Sequence, residues 1–514
     1  MLALIAGALL PLAFAPFDLW PLGILSVGLW FHLLERDPGR GLLLGWLYGA
    51  GKYGVGVSWV YVSIHEHGGA PPLLAGLLVV LFVSGLSLFT LANGWLFIRW
   101  RGVRTARSGS TAVSEHQGRN ALKFLLCFVL FEWLLTWVLT GFPWLLLGYG
   151  FPDTTLRGFA PLGGVFLVSG VAAAVAVALT LLARGIAAGR WRRMGAFDGQ
   201  AAALLLVILL PWLIGAGLTQ IRWSTPQAAH RVALVQGNVP QTVKWQPETR
   251  APIIEKYLRL SEPYWGADLI LWPEAALTAF EHEIPDLLAR LNARGQRTGT
   301  ALVLGIPGLE VRPGDEVVFH NTTLGLGMAS GRYVKRRLVP FGEYVPLEDL
   351  LRGLITFFDL PMSRAEPGNW RQPLLQIHGA PAAMAICYEV VYPELLRESA
   401  DVLLTVSNDT WFGDSLGPRQ HLQMARMRAL ENGRWLLRAT NDGLTAIIDP
   451  RGRIDAVLPR FEEGVLVGGY RSMQGRTPYN RLGNWPLLGT LAFVALLLVV
   501  LDRRARSRRD GVAD

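Results

Sequence analysis

The stretch Ala382-Ala383-Met384-Ala385-Ile386-Cys387-Tyr388-Glu389 is an apolar run that stops on a cysteine, a tyrosine and a carboxylate. It is short and has no polar position until its end, which reads as a strand covered on both faces. Cys387 is therefore expected where a buried strand turns, at the edge of a sheet. A free cysteine there has two readings, a small hydrophobe filling a core or a nucleophilic thiol. The other cysteine, Cys127, lies inside a long apolar run, and two cysteines make neither a disulfide framework nor a Cys-rich zinc module.

Upstream, Leu269-Ile270-Leu271-Trp272-Pro273-Glu274 repeats the pattern, an apolar strand ending in a carboxylate. Glu274 is either a general base or a helix N-terminal residue favoured by the dipole. Lys335 lies in the alternating cationic run 332–338, followed by Pro340-Phe341-Gly342-Glu343-Tyr344-Val345-Pro346. Strands are expected at 231–236, 268–272, 301–305, 317–327, 332–339, 382–387, 402–406, 436–440 and 445–448. Helices are expected at 249–260, 285–294, 393–399 and 419–432. The alternation predicts one α/β or α+β domain.

Around this domain the composition changes. Of 514 residues, 51% are hydrophobic and 17% charged, against about 25% charged in ordinary soluble chains. Residues 41–62, 71–98, 124–139, 161–182, 201–218 and 485–501 are apolar runs long enough, or nearly so, to cross a bilayer. Segments 1–14 and 19–34 form a shorter pair, either two tilted spans or a re-entrant hairpin. The net charge of +9 does not mark a nucleic-acid surface. Arg36 and Arg40, the run from Arg99 to Lys123, Arg184 to Arg193, and Arg503 to Arg509 occupy every second connection, which places those connections and both termini in the cytoplasm. The expected organisation is a polytopic helical domain over 1–222 (about seven spans), an external domain over 223–482, a further span over 483–502 and a basic cytoplasmic tail over 503–514. Residues 105–118 are expected to be a polar loop.

Glu274, Lys335 and Cys387, in this order and context, resemble the Glu-Lys-Cys triad of the nitrilase superfamily. The spans, together with Trp-Pro-Glu, Pro-Phe-Gly-Glu-Tyr-Val-Pro and Cys-Tyr-Glu, look specifically like the apolipoprotein N-acyltransferase family of Gram-negative inner membranes. The resemblance covers nearly the whole chain. It implies an α-β-β-α sandwich beside about eight transmembrane helices. Segment 236–241 with Trp245 matches a stretch bordering the family's site, and 407–414 matches its aromatic lid.

What the resemblance implies is ping-pong acyl transfer. Cys387 takes an acyl chain from a phospholipid, with phosphatidylethanolamine the expected donor, as a thioester. The chain then passes to the α-amino group of an S-diacylglyceryl cysteine on an apolipoprotein. Glu274 serves as base and Lys335 as oxyanion partner. Glu343 orients Lys335, Tyr388 and Glu389 shape the pocket behind the thiol, and Trp245, Trp411 and Phe412 contact the acyl chain. Their alternative roles are a turn-capping glutamate and ordinary interfacial aromatics. No cofactor and no metal are expected, since the His65-Glu66-His67 loop is more simply solvated. The expected protein is a monomer in the Gram-negative inner membrane with its catalytic domain in the periplasm. The rival readings are a membrane-tethered amidohydrolase of the same superfamily and a non-enzymatic transporter or lipid-binding factor. Lys52 and Glu132 are almost the only charges inside the runs, too few for a transporter.

Overall fold

The computed structural model describes residues 1–101, 110–189, 199–314, 316–340, 342–344 and 365–510. Residues 102–109 and 190–198 of the arginine-bearing connections, and Phe341, Val345 and Pro346, lie outside the described residues. The chain divides into two compact units. One comprises Met1–Ser58, Leu78–Ile221 and Leu482–Asp514, and the other comprises Trp59–Leu77 and Arg222–Arg481. The segment Trp59–Leu77, which hydropathy alone assigned to the helical region, thus belongs with the α/β unit.

Among the described residues four helices are long and apolar enough to cross a membrane: Pro72–Trp100, Thr155–Ala187, Gly199–Leu218 and Trp485–Ala505. The helices Trp20–Arg36 and Gly41–Gly56 have 17 and 16 residues. At 1.5 Å per residue each reaches about 25 Å, short of a bilayer core of about 30 Å. Helix Leu2–Leu9 packs on Gly41–Gly56 through glycine. A Cβ at Gly7 would stand 1.9 Å from the Tyr48 carbonyl oxygen, and one at Gly51 would stand 2.0 Å from that of Leu4. Close helix approach of this kind needs small residues. The expected loop over 105–118 is helical from Ser110, where helix Ser110–Leu134 begins.

The described residues of the second unit form thirteen strands. In chain order these are β1 (Thr225–Gln236), β2 (Leu269–Leu271), β3 (Ala301–Arg312), β4 (Glu316–Gly327), β5 (Ala329–Ser330) and β6 (Arg332–Val334). They continue as β7 (Leu375–Ile377), β8 (Ala380–Ile386), β9 (Val402–Ser407), β10 (Leu436–Thr440), β11 (Ala446–Ile448), β12 (Ile454–Val457) and β13 (Gly464–Gln474). One sheet has the order β13-β1-β2-β3-β4-β6 and the other β12-β11-β10-β9-β8-β7-β5. Strands β1, β2 and β3 run parallel, as do β8, β9 and β10.

The sheets pack face to face. Val232, Leu234, Leu271 and Val303 from one meet Met384, Ile386, Leu404 and Leu437 from the other in a single buried cluster. The alternate residues of the first sheet, among them Val235, Ile270, Trp272 and Leu304, pack on Ile253, Tyr257, Leu287 and Leu291 of helices Arg250–Ser261 and Pro285–Thr298. On β10, Leu437 and Ala439 enter the inter-sheet core, so Arg438 points to the other face, where it meets His421 of helix Gly417–Asn432. The result is an α/β sandwich with helices outside both sheets.

Two expectations fail for a shared reason. The strand over 332–339 stops at Val334, because the Arg336 and Arg337 N–H groups leave the ladder for the Glu389 carboxylate. The helix over 393–399 is a set of turns, whose carbonyls at Leu395 and Glu398 are taken by the Arg336 and Asn480 side chains. In both places a distant side chain competes successfully for local backbone groups.

Candidate active site

Parallel strands present their carboxyl ends on one side, the usual place for ligands in such sheets. Here β2 ends just before Trp272-Pro273-Glu274, β8 before Cys387, β9 before Asn408-Asp409, β10 before Asn441 and β1 before Gly237-Asn238. Five turns from two sheets therefore converge.

Glu274 is 7% exposed and held at both carboxylate oxygens and at its backbone carbonyl. Its Oε1 accepts from Asn321 Nδ2 at 2.7 Å and Lys335 Nζ at 3.4 Å, and its Oε2 accepts from the Asn408 N–H at 2.7 Å. Its backbone carbonyl accepts from Lys244 Nζ at 3.2 Å. The turn after it is tight: Ala275 has φ 46°, and a Cβ on Gly305 would lie 2.4 Å from the Pro273 carbonyl oxygen, so only glycine fits beneath.

Lys335 leaves β6 with its N–H on the Asn321 carbonyl, which directs its side chain into the site. Nζ donates to Glu343 Oε1 at 2.7 Å, and Asn321 Nδ2 reaches the same oxygen at 2.9 Å. Burial alone would lower the Lys335 ammonium, but the Glu343 and Glu274 carboxylates outweigh it and hold it well above its ordinary range. The position of Glu343 is fixed in turn by the Val339 N–H, 2.9 Å from Oε2.

Cys387 is buried and sits at φ 52°, the left-handed region that a residue with a Cβ occupies at a cost of about 1–2 kcal/mol. Burial, reinforced by the negative Glu274, pushes its thiol well above the ordinary value, with Lys335 pulling the other way. The thiol is thus protonated at rest and needs a base at the moment of attack. Glu389 is fully buried behind it. Its carboxylate accepts from the Ile386, Arg336 and Arg337 N–H groups at 2.8, 2.6 and 3.0 Å and from the Tyr333 hydroxyl, tying the Lys335 segment to the Cys387 turn. Glu389 therefore anchors backbone rather than lining a pocket. Tyr388 is buried edge-on against Tyr392, ring centroids 5.4 Å apart.

The aromatic candidates separate. Phe412 is buried, edge-on to Trp59 at 4.7 Å and to His421 at 5.7 Å. Trp411 is half-buried beside His67, and its carbonyl accepts from Ser63 Oγ at 2.7 Å. Trp245 is the most open, at 37%. Of segment 236–241, Gln241 Oε1 accepts from Asn408 Nδ2 at 2.8 Å, whereas Gln236 caps the Pro459 and Glu462 carbonyls. His65 Nδ1 lies 2.7 Å from the Ala70 carbonyl, a local turn contact.

Sequence reasoning passed over Asn321, Lys244, Asn408 and His421. Asn321 stands in Phe319-His320-Asn321-Thr322, where an asparagine interrupting a strand is the one visible signal.

Two family models match the chain: apolipoprotein N-acyltransferase N-terminal domain over residues 6–178 and carbon-nitrogen hydrolase over 231–474. The apolipoprotein N-acyltransferase of Azotobacter vinelandii is 45% identical over 519 residues, covering 100% of this chain and 97% of that protein. That of Pseudomonas syringae pv. tomato is 44% identical over 503 residues, covering 97% and 95%. The chain belongs to the apolipoprotein N-acyltransferase family. As a member of that family it is an acyltransferase and a membrane protein, with a carbon-nitrogen hydrolase domain carrying the cluster just described. Among solved structures, Saccharomyces cerevisiae Nit3, of branch 10 of the nitrilase superfamily, aligns with 48% of this chain and 91% of its own at 20% identity and a TM-score of 0.35.

Proposed function

We propose that this apolipoprotein N-acyltransferase family member transfers the sn-1 chain of a phospholipid, phosphatidylethanolamine in the first instance, to the α-amino group of an S-diacylglyceryl cysteine on an apolipoprotein. The reaction runs through a thioester on Cys387. The observation that carries it is the packing of a buried carboxylate and ammonium, Glu274 and Lys335, 3.4 Å apart and within electrostatic reach of a thiol held protonated in a left-handed turn.

In the first half-reaction Cys387 Sγ attacks the ester carbonyl while Glu274 takes the thiol proton. The oxyanion forms beside Lys335, whose charge is secured by Glu343, an arrangement worth several kcal/mol of transition-state stabilisation. Collapse breaks the bond to the glycerol oxygen, Glu274 returns the proton to it, and lysophospholipid leaves. In the second half the α-amine, with an ordinary pKa near 8, attacks as the free base. Glu274 accepts its remaining surplus proton and hands it to the departing Cys387 sulfur. One ester is consumed, one amide is made and the enzyme is regenerated. Trp245 and Trp411 contact the acyl chain, and Glu343 positions Lys335.

The apolar helices and the alternation of arginines support an inner-membrane topology of about eight spans, with cytoplasmic termini and a periplasmic catalytic domain, and the proposed working unit is a monomer. The test is incubation of the purified protein with phospholipid labelled on its sn-1 chain. A hydroxylamine-sensitive label on wild type, absent from Cys387→Ser and discharged by a diacylglyceryl peptide, is the expected result. Steady release of labelled fatty acid without peptide acylation would instead make the protein a hydrolase.

A further inference from the structure

Behind Cys387 lies a second buried polar cluster that the reaction above does not use. Ser407, Asp409, His421 and Arg438 are each no more than 1% exposed. Arg438 Nη2 donates to Asp409 Oδ2 at 2.7 Å, Ser407 Oγ donates to Asp409 Oδ1 at 2.6 Å, and His421 Nε2 lies 3.1 Å from the Cys387 carbonyl oxygen. The cluster touches the nucleophile at both ends, since the Ser407 side chain also reaches the thiol. Burying four polar side chains beside one cysteine is costly unless they are hydrogen-bonded, and here Ser407, Asp409 and His421 find partners within the cluster and at the Cys387 carbonyl, with Arg438 joining them through Nη2.

The hydrogen positions follow from the partners. A carbonyl only accepts, so His421 Nε2 carries the hydrogen. Burial and the Arg438 charge lower the basicity of the imidazole, outweighing the opposite pull of Asp409. Nδ1 then accepts from Arg438 Nη2 at 3.0 Å, and Asp409 Oδ1 stands 3.2 Å from the same nitrogen. The Asp409 carboxylate, which Arg438 holds well below its ordinary value against the effect of burial, fixes the guanidinium in that pose. The chain of contacts runs from β10 through the helix Gly417–Asn432 to the peptide carbonyl of the nucleophile.

We infer that His421, locked by Asp409 and Arg438, is a positioning residue of the acyl transfer: its Nε2–H grips the Cys387 carbonyl and thereby sets the strained Cys387–Tyr388 peptide on which the thiol stands. That peptide is trans and planar, so holding its carbonyl toward His421 turns the Tyr388 N–H the opposite way. The grip fixes both the rotation of the thiol-bearing backbone and the direction of the adjoining donor. The inference rests on the Cys387 thioester reading.

The experiment measures the single-turnover rate of Cys387 acylation by labelled phospholipid in the full-length, detergent-solubilised protein. Each rate constant is taken at saturating lipid and normalised to burst amplitude, so that loss of folded protein alters the amplitude and not the constant. His421→Leu removes the donor and is expected to slow acylation about 10- to 100-fold with little change in apparent lipid affinity, the scale of a sub-ångström misplacement. His421→Gln, whose amide N–H reaches the same carbonyl, is expected to recover to within about five-fold of wild type. If His421→Leu does not accumulate, His421→Gln is compared with Asp409→Asn, and the glutamine variant is expected to be the faster. A wild-type rate in His421→Leu, a glutamine variant as slow as the leucine one, or the reverse order in the second comparison overturns the inference alone. Absence of any adduct on wild-type Cys387 overturns the thioester reading as well.

Discussion

Lys335 and Lys244 are the same residue type, each 1% exposed, each close to Glu274, and their affinities for a proton are shifted in opposite directions. Burial pushes both downward. Lys335 meets two carboxylates, Glu343 at 2.7 Å and Glu274 at 3.4 Å, and rises well above the ordinary lysine value. Lys244 finds the Glu274 backbone carbonyl at 3.2 Å and only more distant charges, and falls to about 8. What decides the charge of a buried amine here is the geometry of its partners rather than its depth.

The contrast breaks most visibly at Lys335. Lys335→Met is expected to lower acyl-enzyme formation by about 10³-fold, the scale of losing an oxyanion partner. It also leaves the Glu274 and Glu343 carboxylates buried without their cation, so the melting temperature should fall. Acylation rate and thermal unfolding in detergent test both, and a melting temperature at or above wild type would mean the pair is not what stabilises the site.

Asn321→Leu comes next, because one amide nitrogen holds Glu274 at 2.7 Å and Glu343 at 2.9 Å. Its loss frees both carboxylates to move, and about 10²-fold slower acylation is expected. Asn321→Asp, which adds a third negative charge, should be slower still.

Glu343→Gln sharpens the point about partners. Lys335 is a raised amine, so its charge persists through the neutral and mildly alkaline range and is lost only on titration above that. Removing one of its two carboxylates brings that titration down. The alkaline limb of the acylation pH profile should therefore move to lower pH, with about 10-fold loss near neutrality. An unchanged alkaline limb would detach Glu343 from Lys335.

Lys244→Met acts on stability rather than on the acylation rate, and with the opposite sign. The native amine titrates at about 8, whereas an unfolded lysine titrates near 10.4. Between these values the unfolded chain holds a proton the native chain lacks, so stability rises with pH across that window. At pH 7 the penalty is fully present, roughly 3 kcal/mol by the size of the shift. Lys244→Met should therefore melt higher than wild type at pH 7, with a gain that shrinks towards pH 10. A gain that is constant with pH would show that Lys244 carries its charge without penalty.

Much of the fold was legible because burial leaves a local trace. The continuous apolar runs of β2, β8 and β9 identified strands covered on both faces, and the residues ending β8 and closing the Trp272-Pro273-Glu274 turn marked the site. Strands β7 and β12 did not show, being three and four residues long. Strand β13 is an edge strand interrupted by Gly468-Gly469 and Arg471, so neither alternation nor an apolar run survives there. The turns at 393–399 looked helical because their spacing is helical, and no local pattern could show that Arg336 and Asn480 would take their carbonyls.

The amino-acid sequence by itself determined which segments are apolar enough for lipid and which strands end on a thiol, a carboxylate or an ammonium, since hydropathy and periodicity are properties of neighbours along the chain. Only the tertiary structure decided how those groups are charged and aimed. Asn321 clamps two carboxylates, Lys244 sits beneath Glu274 and His421 grips the Cys387 carbonyl because β4, the turn after β1 and the helix Gly417–Asn432 meet at one place, and electrostatic energy depends on distances through space that residue order does not encode.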